Sequence, residues 1–462
     1  MAPTEPVLTS SVLDTHPLLG LKGDAPVFDV DSQTGFMAPQ PPLTRLPATW
    51  EVWESMLDSA VAERLQVGDK TGITEEELVK SERWRMHIRE IPVLSTADLT
   101  TPVLLRRAHL VLAFLQHFYV QSLPPNVAPI VIPRSIALPM LRVSQTLDIP
   151  PLLTFSDTVL YNWHIASACH TPTKGKDTDD KPTPGNVRTH TMFTNSVDEE
   201  EFYLCSSRIE LRGVEALELM RITMDEMFVG DSIAIRRIST YLKRMATVID
   251  ELRGLLLDVK KLCHPDVYYN DVRPWFRGED SDVKKRKWVF EGVEEDPTLR
   301  QPTELSGPSA GQSSLVHVLD IFLGVNHQAS ATPDRPSFMS RMQTYMPRNH
   351  RLFLNHLSAN PRPLRAFVLG SKDEEMTNAY NEAVNALKLF RDAHMIISTL
   401  YVIGPARRAA RDIKESNKGS LGNCASVVAT STDVPLKGTG GTDLVKFLKD
   451  TRMRTTEALI KE

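Results

Sequence analysis

Residues Ser371–Pro405 read "SKDEEMTNAYNEAVNALKLFRDAHMIISTLYVIGP". Within them Tyr380, Ala383, Leu387, Phe390, His394, Ile397 and Tyr401 follow one another in alternating steps of three and four. That spacing lays them along one face of an α-helix. Ser371 and Glu374 fit an S-x-x-E capping box, acids fill the first turn, and Gly404-Pro405 reads as the stop. His394 therefore points where the core should be. A neutral buried imidazole is a good iron ligand and a costly idle group unless it is hydrogen-bonded. Arg391 lies one turn earlier, where a cation could pair with a haem propionate. The plain alternative is a core histidine bonded to a neighbour, beside a solvated arginine. His117 in "FLQHFYV" and His317 in "LVHVLDIFL" look similar, so periodicity alone leaves the choice open.

The same period recurs outward from this helix. "TWEVWESMLDSAVAERLQVG", "STADLTTPVLLRRAHLVLAFLQHFYVQSLPP" and "PRSIALPMLRVSQTLDIPPLL" read as helices, the second with a cap expected from Ser95 and Asp98. Further on, "SVDEEEFYLCSSRIELRGVEALELMRITMDEM" and "SIAIRRISTYLKRMATVIDELRGLLLDVKKLC" are long helical patterns. "QSSLVHVLDIFLGV", "SFMSRMQTYMP", "HRLFLNHLSAN" and a closing "TDLVKFLKDTRMRTTEALI" complete the set. Clear strand alternation is scarce and there is no internal repeat. The expected class is all-α.

Residues 1–45 read as an arm, 46–165 as a small helical domain with its linker, and 166–462 as a large helical domain. The polar stretch "HTPTKGKDTDDKPTPGNVRT" reads as a surface loop, and residues of about 405–442 as a mobile one.

The 462 residues carry 53 basic and 58 acidic side chains, a net charge of −5, which gives no electrostatic reason to expect nucleic acid. The first residues lack a basic n-region and a sustained apolar core, so no secretory signal is expected. The longest apolar runs are too interrupted to span a bilayer. Cys169, Cys205, Cys263 and Cys424 lie far apart with no CxxC, against a zinc ribbon or disulfide framework. A cytoplasmic protein in a reducing compartment is expected.

Two small-residue stretches stand out. "KGTGGTDLVKFL" puts flexible backbone before a helix N-terminus, where N–H groups suit a carboxylate or phosphate, with a hinge and a Thr442 cap as the alternative. "SGPSAGQSS" (Ser306–Ser314) would let backbone approach a ligand closely, or would be a plain cap.

Taken in order, "PRSIALPMLRVSQTLDIPPLLTFSDTVLYNW", "EDPTLRQPTELSGPSAGQSSLVHVLDIFLGV", "YMPRNHRLFLNHLSANPRPLRAFVL" and "KGTGGTDLVKFLKDTRMRTTEALIKE" resemble the indoleamine 2,3-dioxygenase family. The likeness runs from about Gly35 to Glu462. It implies a two-domain helical fold whose large domain encloses haem b and whose small domain covers the distal side. It implies cleavage of the indole C2=C3 bond of L-tryptophan by O₂ to N-formyl-L-kynurenine, a reductant to keep the iron ferrous, and a monomer without a membrane partner. His394 falls on the family's proximal iron ligand and Arg391 on its propionate-side arginine. Asp320 matches an aspartate supporting the haem side, while His350 has a counterpart that is not the axial ligand.

Phe202 and Ser206 match distal-pocket residues, and Arg273 the arginine that holds the substrate carboxylate. No side-chain base is implied. Ser309 and Ala310 match the loop lining haem and substrate amine, and Thr439 the segment that closes over the substrate. Three positions of the pocket wall depart from the family: Tyr268 stands for phenylalanine, Phe155 for tyrosine and Thr158 for cysteine. Residues 171–189 and 279–300 have no clear counterpart. The alternatives are a haem-binding member with weak tryptophan turnover that acts on another indole or as a sensor, a different haem enzyme such as a peroxidase, and a helical scaffold with a core histidine.

Overall fold

The computed structural model describes residues 28–166, 181–282, 284–327, 336–419, 438–439, 441 and 443–461. The chain opens with α1 (Glu51–Ala62), α2 (Glu75–Glu90), α3 (Pro102–Gln121), α4 (Arg134–Leu147), α5 (Val197–Arg212), α6 (Val214–Val229) and α7 (Ser232–Asp258). A single turn, α8 (Pro265–Val267), precedes α9 (Ser314–Phe322), α10 (Phe338–Gln343), α11 (Arg348–Ser358) and α12 (Leu364–Ser371). Then come α13 (Glu374–Ser398), α14 (Gly404–Gly419) and α15 (Leu444–Glu457). The only strands among the described residues are three residues long. β1 (Ile130–Ile132) runs parallel to β4 (Trp288–Phe290), and β2 (Trp163–Ile165) antiparallel to β3 (Val187–Thr189). The fold is all-α.

The centre is the pair α7 and α13, the most extensive helix packing among the described residues, flanked by α6, α5 and α15. The stripe expected on α13 is the buried one: Tyr380, Ala383, Leu387, Phe390, Ile397 and Tyr401 all lie in the core. α3 is different. From Ala108 to Gln121 it is buried all round. Such a helix needs its polar groups satisfied, and most are, although Gln116 Oε1 and Arg106 Nη1 have no partner among the described residues. His109 meets Asp157 at 2.7 Å, and the Gln116 and Gln121 amides donate to the carbonyls of Pro151 (2.9 Å) and Arg277 (2.7 Å).

Helix boundaries depart from the sequence expectations for local reasons. α3 is capped by Thr101, which accepts from Leu104 N at 3.3 Å, not by Ser95 and Asp98. Pro102 disfavours helical backbone in the residue before it and pre-sets the first helical φ, so the helix starts there. α13 is capped by Asp373, which accepts from Met376 N at 2.7 Å. Ser371 instead ends α12, and Lys372 at φ 55° breaks the two helices apart. Nor do Gly404 and Pro405 stop the chain. A π-turn, Thr399–Ile403, leads into α14, where Pro405 sits in the first turn and its missing N–H costs nothing. The loop expected over 405–442 is therefore helical to Gly419, and residues 420–437 lie outside the described residues. α15 is capped by Asp443 rather than Thr442, which is itself outside them.

Residues 28–45, expected as part of an arm, pack against the body: Val30, Phe36 and Met37 are buried and Asn349 donates to Asp29 at 2.8 Å. Residues 1–27 of that arm, and 170–180 of the polar stretch expected as a surface loop, lie outside the described residues. Residues 187–189 form β3. The sequence reading passed over α2 and α12. α2 carries a full capping box between Thr74 and Glu77. No helix among the described residues is long and apolar enough to cross a membrane.

Candidate active site

Three histidines looked alike in the sequence, and the structure separates them. His117 Nδ1 donates to the Trp275 carbonyl (2.7 Å) while its Nε2 accepts from Leu153 N (3.3 Å). His317 Nε2 donates to the Gly311 carbonyl (2.9 Å), and the Gln343 amide donates to its Nδ1 (3.1 Å). Both rings are satisfied core groups. His394 has no hydrogen-bond partner among the described residues, and it faces a cavity. Burial, helped by the nearby Arg391 cation, lowers its pKa to about 4. The ring is thus neutral, with a free lone pair, at any ordinary pH. His350 is elsewhere: it packs on Phe36 with centroids 4.9 Å apart and meets Ser314 Oγ at 3.2 Å.

The cavity spans about 1200 Å³ including the solvent space at its mouth, and a second of about 810 Å³, counted the same way, shares part of its lining. Phe155, Ser206, Ala310, Gly311 and His394 line both. All the other residues expected in the pocket also line the first: Thr158, Phe202, Tyr268, Arg273, Ser309 and Thr439. They arrive from six separate stretches of chain, so the gathering is a property of the fold.

α5 supplies Phe202 and Ser206, four residues apart and hence on one face. Its cap is Ser196, which accepts from Glu199 N at 3.1 Å. Turns between Tyr268 and Phe276 bring Tyr268 and Arg273 inward. The Tyr268 ring packs on Phe202 with centroids 4.4 Å apart. Burial pushes the Tyr268 phenol well above its ordinary range and draws the Arg273 guanidinium below its own. Arg273 stays charged, because its ordinary value is far above neutral.

The loop before α9 is held from several sides. Gln312 is buried; it accepts from Phe155 N (2.8 Å) and donates to the Gly307 carbonyl (3.0 Å). Thr439 Oγ1 donates to the Pro308 carbonyl (2.7 Å), and Gly307 N donates to the Thr439 carbonyl (3.2 Å). A side chain at Gly307 would collide with the Phe276 carbonyl. That glycine is needed for packing of backbone on backbone, not for approach to a ligand. Ser309 does cap locally, accepting from Gly311 N at 3.2 Å, and still lines the cavity.

Arg391 lines the second cavity, but its guanidinium is engaged within the protein. It pairs with Asp320 and donates to Thr455 Oγ1 and to the Thr451 carbonyl (3.4 Å). Sequence reasoning missed other walls. Phe338 and Phe447 meet edge-on at 4.3 Å, and Leu256 comes from α7. Phe447 is one of several apolar residues in α15, so no local signal singled it out. Glu210 borders the second cavity beside Ser206. Its Oε1 accepts from Ser313 Oγ at 2.6 Å and its Oε2 has no partner among the described residues.

The donor set tests what could sit here. Among the described residues no group of three or more His, Cys, Asp or Glu side chains could hold a bare metal ion. One neutral imidazole in a roomy apolar chamber fits a metal already held by its own macrocycle.

A sequence profile described as Indoleamine 2,3-dioxygenase matches residues 24–458. The chain is 29% identical over 433 residues to mouse indoleamine 2,3-dioxygenase 1, covering 93% of this chain and 94% of that one. It is 31% identical to the indoleamine 2,3-dioxygenase of Saccharomyces cerevisiae (91% and 90%) and 30% identical to a 6-hydroxytryptophan 2,3-dioxygenase of Fusarium equiseti (94% and 97%). The chain belongs to the indoleamine 2,3-dioxygenase family.

Proposed function

We propose that this protein is a haem-dependent dioxygenase that opens the indole ring of L-tryptophan or a close relative. The observation that carries this reading is the contrast between His394, unbonded at a cavity, and the fully bonded His117 and His317. His394 would hold the iron of haem b from α13. When bound, the haem supplies the capture of O₂ and its activation toward the indole.

The protein's own part is orientation and exclusion of water. Arg273 is a buried cation at the cavity wall, suited to a substrate carboxylate. Phe202 offers an aromatic face to the indole. Ser206 has no hydrogen-bond partner among the described residues, so its hydroxyl is available to the ring N–H. Ser309, Ala310 and Thr439 line the same cavity and would face the amino-acid end of the substrate. Phe155 and Thr158 close the chamber. The C2=C3 bond breaks and each carbon receives one oxygen atom as a carbonyl, giving N-formyl-L-kynurenine with no net proton or electron left over. A separate reductant keeps the iron ferrous between turnovers, and the chain acts as a monomer with its N-terminal helices covering the distal side.

The test is direct. Purified protein should show a Soret band, and under O₂ with a reductant it should form N-formylkynurenine from L-tryptophan. Loss of neither haem nor activity in His394→Ala sinks the reading.

A further inference from the structure

The inference rests on the reading above and concerns how the group held on His394 enters and leaves. His394 lines both cavities, and a third, open cleft lies outside them. Phe447 lines all three. Phe338 lines the first cavity and the cleft, and Met339 and Thr451 line the second cavity and the cleft. At these residues the partition is one side chain thick. It is built from α10 and α15, whose rings Phe338 and Phe447 meet edge-on with centroids 4.3 Å apart. Both rings are half-buried. No hydrogen bond or ion pair joins the two helices among the described residues.

Each helix is tied to the body at its far end. In α10, Arg341 pairs with Glu304 (3.1 Å) and the Gln343 amide donates to His317 Nδ1 (3.1 Å), whereas Ser337 and Ser340 at its start bond to each other (2.9 Å). In α15, Arg452 pairs with Asp392, and Thr451 and Thr455 accept from Arg391. The Ala458 carbonyl that follows accepts from Arg365 (3.0 Å) and Tyr380 (3.1 Å). From Leu444 to Asp450 no side chain makes a hydrogen bond or ion pair to another element among the described residues. Phe338 and Phe447 thus ride on two loosely tied helix starts, where local opening costs least. Inward travel of Phe338 is barred. A Cβ at Gly311 would lie 3.0 Å from its Cε1, so the ring already rests against that backbone. The cleft is the side left to it.

Substrate, on the reading above, needs the first cavity. A macrocycle held on His394 needs both, and this partition borders both. The cleft carries Arg341, Lys446 and Arg454 against Asp443 and Asp450, while His327 there is paired with Asp320. That surplus of positive charge suits the carboxylates of haem.

We propose that Phe338 and Phe447 form an aromatic latch through which haem enters and leaves the chamber. A latch differs from a wall contact in its kinetics. Weakening a latch speeds entry and exit alike and leaves affinity unchanged, because passage no longer waits for opening. Weakening a contact to the bound group speeds exit alone.

The experiment uses the full-length, haem-loaded protein and its Phe338→Leu, Phe447→Leu and doubly substituted variants. Leucine keeps apolar bulk and removes the ring contact, and circular dichroism checks each fold. Transfer of ferric haem to excess serum albumin, followed in the Soret region, gives the exit rate, and the final partition between the two proteins gives relative affinity. Each single variant should release haem roughly two- to tenfold faster, the size of one aromatic pair contact, with the partition unchanged. The double variant should be no faster than the faster single one, because the two rings make one latch. An unchanged exit rate, or a partition that shifts toward albumin as far as the rate rises, overturns the latch and leaves the reading above standing. A wild type that holds no haem at all overturns both.

Discussion

Arg391 and Asp320 form a buried ion pair one helical turn before His394. The arginine is 6% exposed and the aspartate 2%. Asp320 Oδ2 also meets His327 Nε2 at 2.8 Å, so both carboxylate oxygens are engaged. The pair ties α9 to α13, and Arg391 continues to Thr451 and Thr455 on α15. Three helices around the second cavity are thus joined through one guanidinium.

Removing one partner of such a pair leaves the other charge buried and uncompensated, at a cost of about 3–5 kcal/mol. Asp320→Ala should therefore lower the urea midpoint sharply. Burial pushes the Asp320 carboxyl up, but Arg391 and then His327 more than offset it and hold it below its ordinary value of 3.8. A depressed folded-state value stabilises the protein above pH 3.8, and that contribution is lost as pH falls through the lower folded value. Acid unfolding followed by circular dichroism should show a steeper loss in the wild type than in Asp320→Asn. Parallel curves would remove Asp320 from this role.

His394 and His117 make opposite predictions from similar sequence. His394→Ala deletes a ring with no hydrogen bond among the described residues, so the chain should stay folded and lose its Soret band. His117→Ala strands the Trp275 carbonyl and the Leu153 N–H in the core, about 1–3 kcal/mol for each unsatisfied group. It should lower Tm while the protein that remains folded keeps its haem spectrum. A paired measurement of Tm and absorbance on both variants separates the two. If both lose only stability, His394 is a core residue like the others.

That contrast also marks how far the sequence could be read. The stripe from Tyr380 to Tyr401 located α13 and its inward face, because helix periodicity is a local property. Whether His394 is bonded depends on what lies across the core from it, and no local pattern carries that. The same holds for Gln312, whose amide joins Phe155 to Gly307 across the chamber wall. Resemblance to a family supplied what periodicity could not, and the cavity gathers Phe202, Ser206, Tyr268, Arg273, Ser309, Ala310 and Thr439 around His394. Where the reading slipped, the competing signal was also local. Gly404-Pro405 looks like a stop, yet proline fits the first turn of a new helix, and α14 follows.

Arg273 should act on substrate affinity and leave the cofactor alone. A charge-assisted hydrogen bond contributes about 1.5–3 kcal/mol, so Arg273→Ala should raise KM roughly ten- to a hundredfold. Its Soret band should match the wild type. The same variant should discriminate poorly between tryptophan and an indole lacking the carboxylate, because the group that reads the carboxylate is gone. An unchanged KM would assign the carboxylate to another cation.

Glu210 runs against Asp320 in sign. Burial without a nearby cation raises its carboxyl to about 7, and the Ser313 hydroxyl offsets only part of this. Its Oε2 has no partner among the described residues. A raised folded-state value means that stability is fullest below the ordinary value of 4.5 and is lost as pH rises through about 7. The shift corresponds to a few kcal/mol, roughly 3, between acidic and alkaline conditions. Glu210→Gln keeps an acceptor for Ser313 and cannot ionise. The wild type should therefore lose stability from pH 5.5 to 8.5 relative to Glu210→Gln, the two converging at the acid end. Urea midpoints across that range measure the difference, and a gap that stays constant with pH would show that Glu210 is ionised in the folded protein throughout.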